Sequence, residues 1–344
     1  MSMSSRFRVS TITPCFHGEK YLEGFFESVR QQTLFEHIQV VLVHNEPTDQ
    51  EIEIVRKFQR FAPDTVKHIV VFPEDTQFPC VLPGRWARET IAQSMNRAIA
   101  NADAEYVAIW NVDDLRTPDS LEREIEFLDA HSDIAFTYGD MVMVRHFGSR
   151  EGVLVPAPEF EQVEFLRGCF GGFQMFRKSI CDQIGYFDEQ LRSGADFDLW
   201  VRIAANFVMA KTPGVLGYYL NAGTGISTGS GALQPIERTV IELRYGIYDK
   251  LDYRYLPSAN RYRIHDIYFS KVWHPAGKFI PNYEGFLRAR EPLRTIGIQN
   301  FRRAQWQRAV TSVVQNAKIF FRRFSKRLGI YDSMISLRDR LRSR

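Results

Sequence analysis

The chain reads as an α/β protein with a doubly wound, mostly parallel sheet flanked by helices, and three observations predict this. Over the first 145 residues short apolar runs alternate with helix-period segments, the βαβα order that builds a parallel sheet. The run Tyr106-Val-Ala-Ile-Trp-Asn-Val-Asp-Asp114 ends an apolar strand in two adjacent acids, and Pro118-Asp-Ser-Leu-Glu122 then opens a helix. Carboxylates so placed lie at the carboxyl edge of a sheet, where open α/β sheets bind ligands. Finally, 344 residues with 44% hydrophobic and 25% charged content suffice to bury both faces of such a sheet.

The elements follow in order. Phe7–Pro14 is the first strand, and Glu19–Gln32 the first helix, with Tyr21, Leu22, Phe25, Phe26 and Val29 on one face. Ile38–His44 is a strand, Asp49–Phe61 a helix and Val66–Phe72 a strand; the Pro-rich stretch 73–83 is a loop. Arg88–Asn101 is helical, with Ile91, Met95 and Ile99 four apart; Tyr106–Asn111 is a strand and Ser120–His131 a helix. Beyond these, Ile134–Val144 is a strand, Arg177–Ile184 a short helix, Asp196–Asn206 a helix, Gly214–Leu220 extended and Leu233–Lys250 a connecting helix. Residues 252–292 mix aromatic and basic side chains without a period that assigns elements. Asn300–Leu328 is helical, with an apolar stripe at Val310, Val314, Ala317, Phe321, Phe324 and Leu328.

The net charge of +3 is unevenly spread: from Phe301 to Arg344 there are twelve Lys/Arg against two Asp. An anionic surface would therefore attract the tail and not the body. The tail's basic amphipathic helix suits interfacial membrane binding, or equally packing on the body or a second subunit. It carries no recognisable nucleic-acid module. Cys15, Cys80, Cys169 and Cys181 form no CxxC pair, which fits a reducing compartment. With no apolar stretch of membrane-spanning length and no secretory signal at the start, the expected location is cytoplasmic, peripheral on a membrane at most.

Two adjacent acids repel each other, so a compensating positive charge is expected at Asp113 and Asp114. A divalent cation shared with a diphosphate fits, because hard cations take oxygen ligands. Four segments then resemble, in order and spacing, the inverting family-two glycosyltransferases of GT-A fold. They are Val9-Ser-Thr-Ile-Thr-Pro-Cys-Phe-His17 with Tyr21-Leu22; Val40-Val-Leu-Val-His-Asn-Glu-Pro-Thr-Asp49; Ser94-Met-Asn-Arg-Ala-Ile-Ala100 leading into Asn111-Val-Asp-Asp114; and Ile184-Gly-Tyr-Phe-Asp188 with Gly194-Ala-Asp-Phe-Asp-Leu-Trp-Val-Arg202. The resemblance spans residues 7–228.

It implies a nucleotide-sugar half at 1–115, an acceptor half at 116–230, and a helical extension at 231–344. It further implies that Pro14, Cys15, His17, Asn45, Asn96, Arg97, Asn111 and Asp113 bind the nucleotide sugar, that Asp113 ligates Mg²⁺ or Mn²⁺, and that Asp196 is the general base. The partners are a nucleoside-diphosphate sugar and a glycan or lipid-linked hydroxyl acceptor. Three positions depart from the family pattern: Asn45 and Asn111 stand where it has Asp, and Ala195 where it has Glu. Ala222 stands where some relatives carry a metal-binding His. Residue chemistry alone assigns Asp114 to the dipole of the following helix, His44 to the surface, and Asp198 with Arg202 to an i,i+4 ion pair. Two rival classes share parts of this pattern. One is an inactive sugar- or partner-binding relative. The other is a nucleotidyltransferase, which needs a basic Gly-rich triphosphate loop that the run Thr13–Gly18 does not supply.

Overall fold

A computed structural model of the chain describes residues 6–72, 89–161, 172–223, 232–248 and 250–288. The predicted basic tail, the Pro-rich stretch 73–83 and Arg88 lie outside them. The described residues belong to one compact unit, which runs to Glu291.

β1 (Val9–Cys15), β2 (Ile38–Asn45), β3 (Val66–Val71) and β4 (Tyr106–Ile109) pair in the order β3-β2-β1-β4, all parallel. Between them run α1 (Glu19–Arg30), α2 (Asp49–Phe61) and α3 (Ile91–Ala100). Helices α2 and α3 each start in a capping box, Thr48 with Glu51 and Thr90 with Gln93, which satisfies their free N-terminal amides. The helix predicted at Arg88 thus begins at Ile91.

Past β4 the sheet becomes mixed. β5 (Leu115–Arg116) and α4 (Ser120–Ala130) are followed by β6 (Ile134–Val144), β7 (Val153–Val155) and β8 (Gly172–Arg177). After α5 (Cys181–Ile184) and α6 (Ala195–Asn206) comes β9 (Val208–Leu220). The nine-stranded order is β3-β2-β1-β4-β8-β6-β9-β5, with β7 on β6. β8 lies antiparallel between β4 and β6, while β6 and β9 are parallel. A parallel sheet over β1 to β4 therefore gives way to mixed directions, which composition and period do not distinguish.

Each face has its own core. Leu22, Phe25, Phe26, Val55, Leu121 and Ile125 from α1, α2 and α4 pack on one face. On the other, Ala92, Met95 and Ile99 of α3 meet Phe197, Trp200 and Ile203 of α6. α7 (Leu233–Tyr245) joins this second core through Val240, Ile241 and Tyr245. A two-stranded ribbon, β10 (Asp266–Phe269) with β11 (Val272–Pro275), builds a small cluster of its own from Ile267, Phe269, Ala276 and Phe279.

Candidate active site

The sheet directions bring the expected residues to one edge. β1, β2 and β4 are parallel and end at Cys15, Asn45 and Ile109, so Pro14, Asn45 and the Asn111–Asp114 segment leave the sheet together. α3 runs back from this edge into β4, and α6 runs back from it into β9, which is parallel to β6. The N-terminus of α6, carrying Asp196, therefore lies at the same edge as the strand ends. The β1–α1 turn packs closely against the segment after β4: a Cβ on Gly18 would lie 3.6 Å from Val112 and 2.5 Å from Cys15 Sγ, so only glycine fits.

Asn45 is buried and donates its amide to Ser94 Oγ at 2.9 Å, while its Oδ1 has no partner among the described residues. A buried carbonyl oxygen without a donor costs about 1–3 kcal/mol, and the imide N–H of a base is a donor of the right type. Pro14 is half-buried, and His17 stands exposed with φ 52°, a left-handed conformation that few non-glycine residues adopt.

Asp113 is half-buried, and burial raises its pKa while the Lys20 ammonium opposes the shift. Asp114 is different. It accepts from the Leu220 amide at 3.0 Å and from Asn111 Nδ2 at 3.2 Å, and burial together with the Asp113 charge pushes it up to about 7. Asp114 thus ties the end of β9 to the acidic loop; the helix-dipole role read from the sequence is corrected, since α4 starts later, behind Asp119. Asn111 is drawn into that tie. Asp113 presents a hard oxygen donor beside a second acid, a setting that suits Mg²⁺ or Mn²⁺ holding most of its shell from phosphate and water.

Asp196 reaches solvent, yet protein crowds it closely enough that burial pushes its pKa up to about 6, against the Phe197 amide that donates to Oδ1 at 2.7 Å. A carboxylate poised there accepts a proton readily near neutrality. Its loop is held from α7: Glu237 accepts from the amides of Arg192 at 2.9 Å, Ser193 at 2.6 Å and Gly194 at 2.9 Å. Nothing in the sequence pointed to Glu237, because its partners are backbone amides of a remote loop.

Three expected donor contacts are redirected. Asn96 donates to the Phe187 carbonyl and Glu189 Oε1, both at 2.9 Å, and accepts from the Phe187 amide at 2.9 Å. It clamps the 184–189 loop, with its amide used on both sides. Arg97 pairs with Glu89 at 2.7 Å. Cys15 is 2% exposed, which keeps its thiol from a ligand at the sheet edge. His44 also corrects its surface assignment: it is fully buried, 3.2 Å from His68 Nε2. The Asp198–Arg202 pair is present at 2.7 Å, within a larger network in which Asp198 also binds Arg244 at 2.6 Å and Tyr245 at 2.8 Å.

A parallel first half, a mixed second half, acids after β4 and an exposed acid, Asp196, in the first turn of α6 match the glycosyltransferase GT-A arrangement. The chain belongs to glycosyl transferase family 2, whose sequence profile matches residues 10–185. An uncharacterised glycosyltransferase of Methanocaldococcus jannaschii is 24% identical over 193 residues, 55% of this chain and 61% of the relative. EpsE of Bacillus subtilis, named as a glycosyltransferase, is 24% identical over 204 residues, 58% of this chain and 68% of its own length. The crystal structure of S. aureus TarS 1-349 in complex with UDP-GlcNAc superposes with TM-score 0.53 at 20% identity, over 71% of this chain and 66% of that one. That likeness establishes the fold. This chain spans less than two thirds of the archaeal relative and of the TarS structure with UDP-GlcNAc.

Proposed function

We propose that the protein transfers a sugar from a nucleoside diphosphate to a hydroxyl of a glycan or lipid-linked glycan, with inversion at the anomeric carbon. The observation that supports this reading is Asp196, whose pKa burial raises to about 6, at the start of a helix that runs into β9, a strand parallel to the β4 that precedes Asp113. One base suits one displacement: the acceptor oxygen bonds to the anomeric carbon, the bond to diphosphate breaks, and the acceptor proton passes to Asp196. Asn45 Oδ1 would accept from the base, and Pro14 and His17 would border the nucleotide. Asp113 would hold Mg²⁺ or Mn²⁺, which when bound neutralises charge on the departing diphosphate. The residues proposed for chemistry precede residue 230, and the segment beyond it is the supporting extension; membrane contact by the basic tail belongs to this proposal. Among the described residues no helix is long and apolar enough to cross a membrane.

The test is nucleotide release from a panel of UDP-, GDP- and dTDP-sugars with Mn²⁺ or Mg²⁺ and hydroxyl acceptors, with product anomers read by NMR. Release of nucleoside diphosphate with an inverted linkage is expected, and Asp113→Asn should abolish metal-stimulated donor binding. Retained configuration, pyrophosphate production, or no turnover of any bound donor would each defeat the proposal.

A further inference from the structure

We propose that Cys15, His44 and Glu51 form a second cation site, for Zn²⁺, buried beneath the nucleotide crevice and distinct from Asp113. The inference does not rest on the transfer reaction.

Cys15 and His44 are register partners at the ends of β1 and β2, so their side chains share a face of the sheet. Glu51 reaches them from the first turn of α2. One ligand atom from each of the three lies within 4.8 Å of the others, and all three residues are buried. His44 Nε2 and Glu51 Oε2 are 3.7 Å apart, too far for a hydrogen bond. The spacing is close to that of two donors on one tetrahedral zinc, about 3.3–3.8 Å for bonds of ~2.0–2.3 Å.

Two unmet polar atoms belong to this cluster. His44 Nε2 and Glu51 Oε1 are buried with no hydrogen-bond partner among the described residues. The capping box accounts only for Glu51 Oε2, which accepts from the Thr48 amide at 2.8 Å. His44 Nδ1 faces His68 Nε2 at 3.2 Å. With the proton on Nδ1, that contact leaves the Nε2 lone pair for a metal, the usual support of a ligating imidazole. Gly18 keeps room for the sulfur.

The donor set selects the ion. Thiolate, imidazole and carboxylate suit zinc far better than Mg²⁺ or Mn²⁺. Binding would release the Cys15 thiol proton to solvent, and Zn²⁺ with one thiolate, one carboxylate and a neutral imidazole carries no net charge. That is the condition under which an ion tolerates burial. Such a site would fasten β1, β2 and α2 immediately behind Asn45.

The test is zinc content of the chain produced in zinc-supplemented medium, read by mass spectrometry, and zinc affinity read by competition with a chromogenic chelator. The native chain and Asp113→Asn should each hold about one zinc per chain, and Cys15→Ser and Glu51→Gln should bind at least roughly tenfold more weakly. Cobalt substituted into the native chain should show sulfur-to-cobalt charge transfer in the near ultraviolet, a readout that needs no variant to fold. A folded native chain that takes up no zinc, zinc lost in Asp113→Asn, zinc kept in Cys15→Ser, or cobalt without charge transfer would each overturn the proposal.

Discussion

Asp196 is the residue whose environment and proposed task can be set against each other. Burial raises its pKa to about 6, so the folded chain binds a proton there that the unfolded chain has already lost. Stability therefore falls as pH rises from about 4 through 6, because the native state must ionise a crowded carboxylate. Asp196→Asn removes that penalty. Above pH 6 the variant should melt at a higher temperature than the native chain, with the difference vanishing below about pH 4, as thermal denaturation across pH would show. The same substitution should lower turnover by about 10²–10⁴-fold while donor binding persists. In the native chain, turnover should rise with pH through about 6 and then level off. A flat profile with unchanged melting would mean that Asp196 is neither strained nor catalytic.

At the scale of elements, the relation between α6 and α7 decides how steady that carboxylate is. Glu237 gathers consecutive amides of the Arg192–Gly194 loop, and Gly194 lets α7 approach: a Cβ there would lie 2.9 Å from Ile241. Glu237→Gln keeps the size but loses charge and one acceptor. The expected result is a turnover loss of about tenfold with donor KM unchanged, since each weakened charge-assisted hydrogen bond contributes roughly 1.5–3 kcal/mol; steady-state kinetics would separate the two parameters. Lower unfolding stability with unchanged turnover per folded chain would assign Glu237 to the fold alone. The early elements were legible because their signals are local: the apolar face of α1 and the buried run of β2 need no distant partner to be read. Even the capping box Thr48-Asp-Gln-Glu51 was available as a sequence pattern. Glu237, and the change of strand direction at β8, were not legible, because each depends on pairing between segments far apart in the chain. Asn96 misled for the same reason: its motif position suggested a ligand, while its partners lie at Phe187 and Glu189.

For the whole molecule, the relevant feature is the charge network that joins these parts. Asp188, Asp198, Arg202 and Arg244 are all fully buried, and Arg244 bridges both acids at 2.8 and 2.6 Å. Removing one member of such a set leaves an unpaired interior charge and typically costs about 3–5 kcal/mol. Arg244→Met should therefore lower unfolding stability by that amount in urea titrations, while Arg254→Met, at an exposed pair, should change it by less than about 1 kcal/mol. The motif order announced the class of fold from residue 9 onward, yet residues that complete its second core come after 230, where the helix at Leu233–Lys250 and the aromatic and basic stretch that follows it carry no motif.

That arrangement sets an order of events during synthesis. The strands that would grip the nucleotide leave the ribosome first, whereas the clasp on the Asp196 loop arrives only with Glu237, up to 45 residues later in the chain. A nascent polypeptide should thus gain the ability to hold its donor before the ability to react with it. Chains stalled at successive lengths, probed for nucleotide retention and for hydrolysis, would reveal whether affinity does precede competence.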